Sequence, residues 1–136
     1  MPKPTPKRTD RTLRQELRAA AQAAAEKKAM DLVLLDLRQQ ADFCDYFLIC
    51  HGSNPHQMQA IADAVEERLE AAGTHAAQRE GRRQGEWIAL DYVDFMVHIF
   101  SPRTRRFYDL ERLWAGAKDV PLTLPRRGRK QTPEAL

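Results

Sequence analysis

Between Trp87 and Phe100 apolar and polar positions alternate on either side of Val93-Asp94, a pattern that predicts two strands joined by a tight reversal. With Val93 and Asp94 as a two-residue turn, Tyr92 falls opposite Phe95, Leu90 opposite Val97 and Ile88 opposite Ile99. That face is wholly apolar and must be covered. The other face pairs Asp91 with Met96, Ala89 with His98 and Trp87 with Phe100, because side chains alternate along a strand. A face mixing Trp, Met, His and a carboxylate is too polar for a deep core and too apolar to stand idle in water.

The remaining pattern gives an order of helix, two strands, helix, three strands and a terminal helix. A helix is expected from an N-cap at Asp10 or Thr12 to about Lys28, with Leu13, Leu17, Ala20 and Ala24 on one stripe. Asp31 to Leu37 and Asp45 to His51 read as central strands. Pro55 is a good first helical residue after Asn54 or Ser53, and Gly73 ends that helix, whose buried stripe is Met58, Ile61, Ala62, Val65 and Leu69. A short strand over Ala76 to Arg79 precedes a polar loop, Glu80 to Gly85, and the hairpin. Ser101-Pro102 opens a last helical segment ending near Trp114. The fold class is α/β, a single domain with a mixed sheet of about five strands flanked by helices. Residues 1–11 are expected to form a disordered basic arm, 12–118 the domain and 119–136 a flexible basic tail.

At 136 residues the chain is long enough to bury a core without disulfides or metal. No apolar run is long enough to span a bilayer, and the N-terminus lacks the apolar segment of a secretory signal. Cys44 and Cys50, ~20 Å apart along one extended segment, are too distant to bridge, and a reducing cytoplasm is the expected location. The net charge of +3 conceals a division: residues 1–18 hold six basic and two acidic side chains and 121–136 hold four and one, leaving twelve basic and sixteen acidic in 19–120. An acidic body suits a basic protein partner better than nucleic acid, although mild acidity also serves solubility alone.

Trp87-Ile-x-x-Asp-Tyr-x-Asp-x-x-Val-His-Ile-Phe100 and Phe107-Tyr-Asp-Leu-Glu-Arg-Leu-Trp114 resemble the ribosomal silencing factor family (RsfS, also called Iojap-like). Lys27-Lys28-Ala29-x-Asp31-x-Val33-x-Leu35-Asp36, Asp45-Tyr46-Phe47-x-Ile49, Gly52-Ser53 and Ala60-Ile61-Ala62-Asp63 fit the same pattern in the same order, from about Leu13 to Trp114. The resemblance implies a translational repressor rather than an enzyme, needing no cofactor. It would bind the large ribosomal subunit through large-subunit ribosomal protein fourteen and block joining of the small subunit. Two departures stand out. Val93 occupies a turn position where many members have Gly, and a β-branched residue there resists positive φ. Pro55-His56-Gln57 follows Gly52-Ser53 where the family usually shows Arg or Gln near the helix start.

The family's fold is similar to the nucleotidyltransferase core, which makes a degenerate nucleotide-binding protein the competing expectation. Such enzymes need a Gly-Ser pair for phosphate and, about ten residues on, an Asp-x-Asp/Glu strand for Mg²⁺. Ten residues after Gly52-Ser53 comes Asp63-Ala-Val, inside a predicted helix, so the metal-binding dyad is missing. Asp91 and Asp94 straddle the turn and should diverge. The histidines and cysteines lack zinc spacings, and there is no P-loop, G-x-S-x-G or G-x-G-x-x-G. A third class, an RNA-binding module working through the tails, would use Arg126, Arg127, Arg129 and Lys130, for which a solvated tail is the better reading.

The expected partner-binding residues are Trp87, Asp91, Tyr92, Asp94, Met96 and His98. Each has a plainer reading: Trp87 as a core anchor, His98 as a satisfied sheet histidine, the two aspartates as turn chemistry. Tyr108, Leu110, Leu113 and Trp114 fit helical spacing and are mostly core. An exposed sheet face or edge would also support a homodimer away from the ribosome.

Overall fold

The computed structural model describes residues 9–114 and 116–122. Helix α1 (Asp10–Glu26) is followed by strands β1 (Met30–Asp36) and β2 (Tyr46–His51), helix α2 (Pro55–Ala71), strands β3 (Gln78–Arg82), β4 (Trp87–Asp91) and β5 (Phe95–Phe100), short helices α3 (Pro102–Tyr108) and α4 (Leu110–Leu113), and strand β6 (Lys118–Val120). The strands form one six-stranded sheet in the order β3-β4-β5-β2-β1-β6, in which β2 and β5 are parallel and all other neighbours antiparallel. With parallel and antiparallel partners on its two sides, β2 is buried over Tyr46 to Cys50, as its continuous apolar run requires.

Helices α1 and α2 lie together on one face. Ala20, Ala21 and Ala24 let α1 approach closely, and Leu13 and Leu17 join Met58, Ile61, Val65 and Leu69 of α2 in the main core. The sheet side of that core is Ile88, Leu90, Tyr92, Phe95, Val97 and Ile99, the apolar face deduced from the hairpin alternation. Thr9 caps α1, its side chain accepting from the Thr12 amide at 3.1 Å, so the cap falls one residue before Asp10 rather than at Asp10 or Thr12. Asn54 caps α2, accepting from the Gln57 amide at 2.8 Å, with Pro55 as the first helical residue.

Three expectations change. The sheet, expected to have about five strands, has six among the described residues. β6 is too short to carry periodicity and exists because its backbone completes the open edge of β1; it spans the boundary placed between domain and tail. Strand β3 begins and ends later than Ala76 to Arg79 and takes up part of the expected polar loop. It is an edge strand with no apolar alternation, and pairing of Gln78 with Asp91 through Arg82 with Trp87 sets its span. The terminal helix is broken at Asp109, which adopts φ 47° and ψ 58°, the left-handed region that Asp tolerates better than most residues. Across that break the Arg105 guanidinium grips Glu111 at 2.5 and 3.1 Å and meets His51 Nδ1 at 2.9 Å, tying α3 and α4 to the end of β2.

The hairpin register is the one read from alternation, from Trp87 opposite Phe100 to Asp91 opposite Met96. Val93 does not lengthen the turn; it takes φ 73°. The Asp94 amide donates to the Tyr92 carbonyl at 2.8 Å, closing the strained form of a γ-turn, while Asp91 Oδ1 accepts from the Val93 amide at 2.8 Å. A β-branched residue held at positive φ costs about 1–3 kcal/mol. Val93 is 61% exposed, so little packing would be lost on removing its side chain. Val93→Gly is expected to stabilise the protein by about 1 kcal/mol, relief of strain exceeding the added chain entropy of glycine. Urea unfolding should show a raised midpoint at unchanged slope.

Candidate partner-binding site

The second face of the sheet carries a row of rings. Trp87, at the start of β4, lies 4.9 Å from Phe100 and 4.9 Å from Tyr108, centroid to centroid. His98 of β5 stands 5.8 Å from Trp87 and meets Phe47 of β2 edge-on at 4.5 Å. Phe47 in turn contacts Trp114 at 6.2 Å and Phe43 at 6.0 Å. The row thus crosses β4, β5 and β2 because Trp87, His98, Phe100 and Phe47 all project from the face that α1 and α2 leave open.

Trp87 Nε1–H donates to His98 Nδ1 at 3.0 Å. Tryptophan is only a donor, so the neutral imidazole carries its proton on Nε2. That nitrogen is buried and has no hydrogen-bond partner among the described residues. Burial, reinforced by the Arg82 guanidinium that lies 4.8 Å from the Trp87 ring, pushes His98 down to about 3. His98 is therefore a neutral strut that fixes the Trp87 ring against the sheet.

The six expected contact residues divide. Trp87, Asp91, Asp94 and Met96 are half-buried and reach the surface. His98 is on the same face but only 3% exposed, and Tyr92 is 1% exposed on the opposite face, stacked on Phe95 at 4.9 Å. As placed, neither supplies contact area. Tyr92 follows Asp91 in the chain and so points the other way, toward the main core.

Other residues join the surface group. Phe43, 58% exposed, lies 6.0 Å from Trp114. Leu113 beside Trp114 is also exposed, where helical spacing suggested mostly core. Asp45 donates its amide to the Asp94 carbonyl at 2.8 Å, which brings the 42–45 segment against the hairpin turn. The result at this end of the row is apolar area from Met96, Phe43 and Trp114 bordered by Asp45, Asp91 and Asp94. Nothing in the periodicity of residues 38–45 signals this, since the segment has no regular structure. Burial, followed by those three carboxylates, holds the Cys44 thiol up at about 12, and burial does the same for Cys50, so both thiols are protonated and poorly nucleophilic.

The loop that would hold phosphate in a nucleotidyltransferase is filled by the chain itself. Gln57 Oε1 accepts from the Ser53 amide at 2.6 Å, and Gln57 Nε2 donates to the carbonyls of Lys27 and Lys28 at 3.1 and 3.0 Å. A methyl group on Gly52 would stand 3.1 Å from Met58 Cγ, so the loop is packed hard onto α2. Asp63, ten residues beyond Ser53, lies on α2 and pairs with Arg79 at 2.9 Å. Among the described residues no group of three or more His, Cys, Asp or Glu is arranged to hold a metal ion, and no helix is long and apolar enough to cross a membrane.

A family model described as "Ribosomal silencing factor during starvation" matches residues 10–135. The chain belongs to the ribosomal silencing factor family. It is 38% identical over 101 residues to the ribosomal silencing factor RsfS of Bacillus subtilis, covering 74% of this chain and 86% of the relative. A crystal structure from Bacillus halodurans superposes with a TM-score of 0.70 at 35% identity, covering 80% of this chain and 99% of the other. One from Chromobacterium violaceum gives 0.72 at 27% identity, over 85% and 95% respectively. The family resemblance read from the motifs is thus shown, and the mixed α/β fold is shared with these structures.

In this RsfS-family chain the depressed His98 makes stability depend on pH. The unfolded histidine binds a proton near 6.5 and the folded one only near 3, so stability is full above about pH 6.5 and falls as pH drops toward 3. From pH 7.5 to 5 the native chain is expected to lose about 2 kcal/mol more than His98→Gln, read as the difference in urea midpoints. Equal pH slopes for the two proteins would show that His98 is not buried neutral.

Proposed function

We propose that this chain represses translation by docking on the large ribosomal subunit, through large-subunit ribosomal protein fourteen, and obstructing the small subunit by its bulk. The observation that carries this reading is the apolar surface of Met96, Phe43 and Trp114 rimmed by Asp45, Asp91 and Asp94, with Trp87 braced behind it by His98. Such a composition, an aromatic centre in an acidic border, suits a basic protein surface. Docking of this kind requires no chemistry, no cofactor and no membrane, and its setting is the cytoplasm. The filled Ser53 loop weighs against nucleotide binding. When ribosomes are scarce the same apolar surface would pair two copies of the chain, in competition with docking.

Co-sedimentation with separated ribosomal subunits tests the reading. The native chain is expected to travel with the large subunit alone and to reduce reassociation of the two subunits in a sucrose gradient. Phe43→Ala combined with Asp94→Lys should weaken large-subunit binding at least thirtyfold, the loss of one aromatic anchor and reversal of one rim charge. Native sedimentation with neither subunit, together with a thermal shift by a nucleoside triphosphate and Mg²⁺, would favour the nucleotide-binding alternative.

A further inference from the structure

The ring row has a second end, and its charge is opposite. Phe107 is 73% exposed, the most exposed of the large apolar side chains among the described residues, and packs edge-on against Tyr108 at 4.9 Å. The two rings border a concavity of about 650 Å³ that Arg83, Glu86 and Arg103 also line. Although residues 19–120 carry more acid than base, α3 has three arginines and no carboxylate. Arg105 is spent internally on Glu111, and Arg106 lines a separate concavity with Asp31, Asp109 and Glu111; Arg103 is exposed and shares one helical face with Phe107, four residues on. Arg83 sits in the β3–β4 turn at φ 52°, with its guanidinium 5.6 Å from the Tyr108 ring. Arg83 has no ion-pair partner among the described residues.

Glu86 is the one acid in the concavity, and its carboxylate is taken up. Oε1 accepts from Ser101 at 3.0 Å and Thr104 at 2.8 Å, and Oε2 accepts from Arg103 at 2.7 Å. These three donors hold its acid strength up, that is, its pKa below the ordinary carboxylate value. Its role is to orient Arg103 at the rim. An acidic peptide would use the arginines but would leave the exposed Phe107 ring without a partner. An unpaired nucleobase uses both, stacking on the ring while flanking phosphates take the guanidinium groups. The concavity admits a turned-out base and not the side of a duplex, whose readable groove is wide and shallow.

We propose that the concavity between the β3–β4 turn and α3 is a second docking site, for single-stranded or loop RNA, with a base on Phe107 and phosphates on Arg83 and Arg103. The site gains its setting from the ribosomal reading above, on which it rests: an acidic end for a basic protein and an arginine end for the RNA beside it. Asp91 and Trp87, the two ends of β4, are ~13 Å apart at 3.3 Å per residue, so one molecule can address both at once.

The test is fluorescence anisotropy of a labelled mixed-sequence 12-nucleotide single-stranded RNA with the full chain, titrated between 50 and 200 mM salt. Binding should weaken with salt with a logarithmic slope of about −1.4, as two phosphate contacts to a single strand require. Phe107→Ala should lose about tenfold, with Phe107→Trp restoring it, and Arg83→Ala with Arg103→Ala should lose more than tenfold and flatten the salt slope. Replacing Arg126, Arg127, Arg129 and Lys130 by alanine should change the affinity less than threefold. Two results overturn the proposal: native-like RNA binding by the pocket variants with loss in the tail variant, or competition by polyglutamate as effective as that by unlabelled RNA. The Phe43→Ala, Asp94→Lys protein separates the two readings, because it should keep oligonucleotide affinity while losing the large subunit. If no chain sediments with the large subunit but pocket-dependent RNA binding persists, the ribosomal reading fails and the RNA site stands.

Discussion

The register of the β4–β5 hairpin is the constraint on which the rest of the structure depends. Because side chains alternate, a slip of β4 by one residue would send Trp87 and Asp91 toward the helix-covered core and bring Ile88 and Leu90 to the open face, away from His98. The register is held by a turn that is itself unfavourable, with Val93 at φ 73°. What makes this tolerable is the packing on either side of it. Tyr92 and Phe95 are sealed under the helices, and Asp91 satisfies the Val93 amide that the turn leaves without a strand partner. Local strain of this size survives only where the surroundings over-determine it.

From that register the two faces acquire different characters. One is closed by α1 and α2 with small residues at the contact, and behaves as an ordinary core. Among the described residues the other receives α3, α4 and the 38–45 segment, which leave Trp87, Tyr108 and Trp114 half-buried. His98 shows how the two requirements meet. It is buried deeply enough to be held neutral, and it uses its one acceptor to hold Trp87 in place. The face is therefore rigid beneath and apolar above, the combination that lets an interface form with little loss of side-chain freedom.

The same layout bears on the nucleotide-binding expectation that the resemblance raised. Gly52-Ser53 sits at the start of α2, where a phosphate-binding loop would be expected, but the amide is already satisfied by Gln57 and the glycine is needed for close approach of Met58. A phosphate-binding role for the loop is opposed at the level of single hydrogen bonds.

The sequence by itself determined the elements whose signal is local. Alternation gave the faces and the register of the hairpin, the 3.6-residue stripe gave α2 with its buried residues, and Asn54-Pro55 and Gly73 gave its ends. The motifs gave the family. Tertiary structure alone decided the rest, because those features come from partners distant in sequence. β6 became a strand only because β1 offered an unpaired edge, and the β3 boundaries followed β4 rather than any pattern of its own. Phe43 and Asp45 reached the ring face through the hydrogen bond from Asp45 to Asp94. Tyr92 and His98 were named from the sequence as contact residues, but whether a side chain on a strand reaches solvent depends on what covers it. Here α1 and α2 cover Tyr92, and the neighbouring rings cover His98.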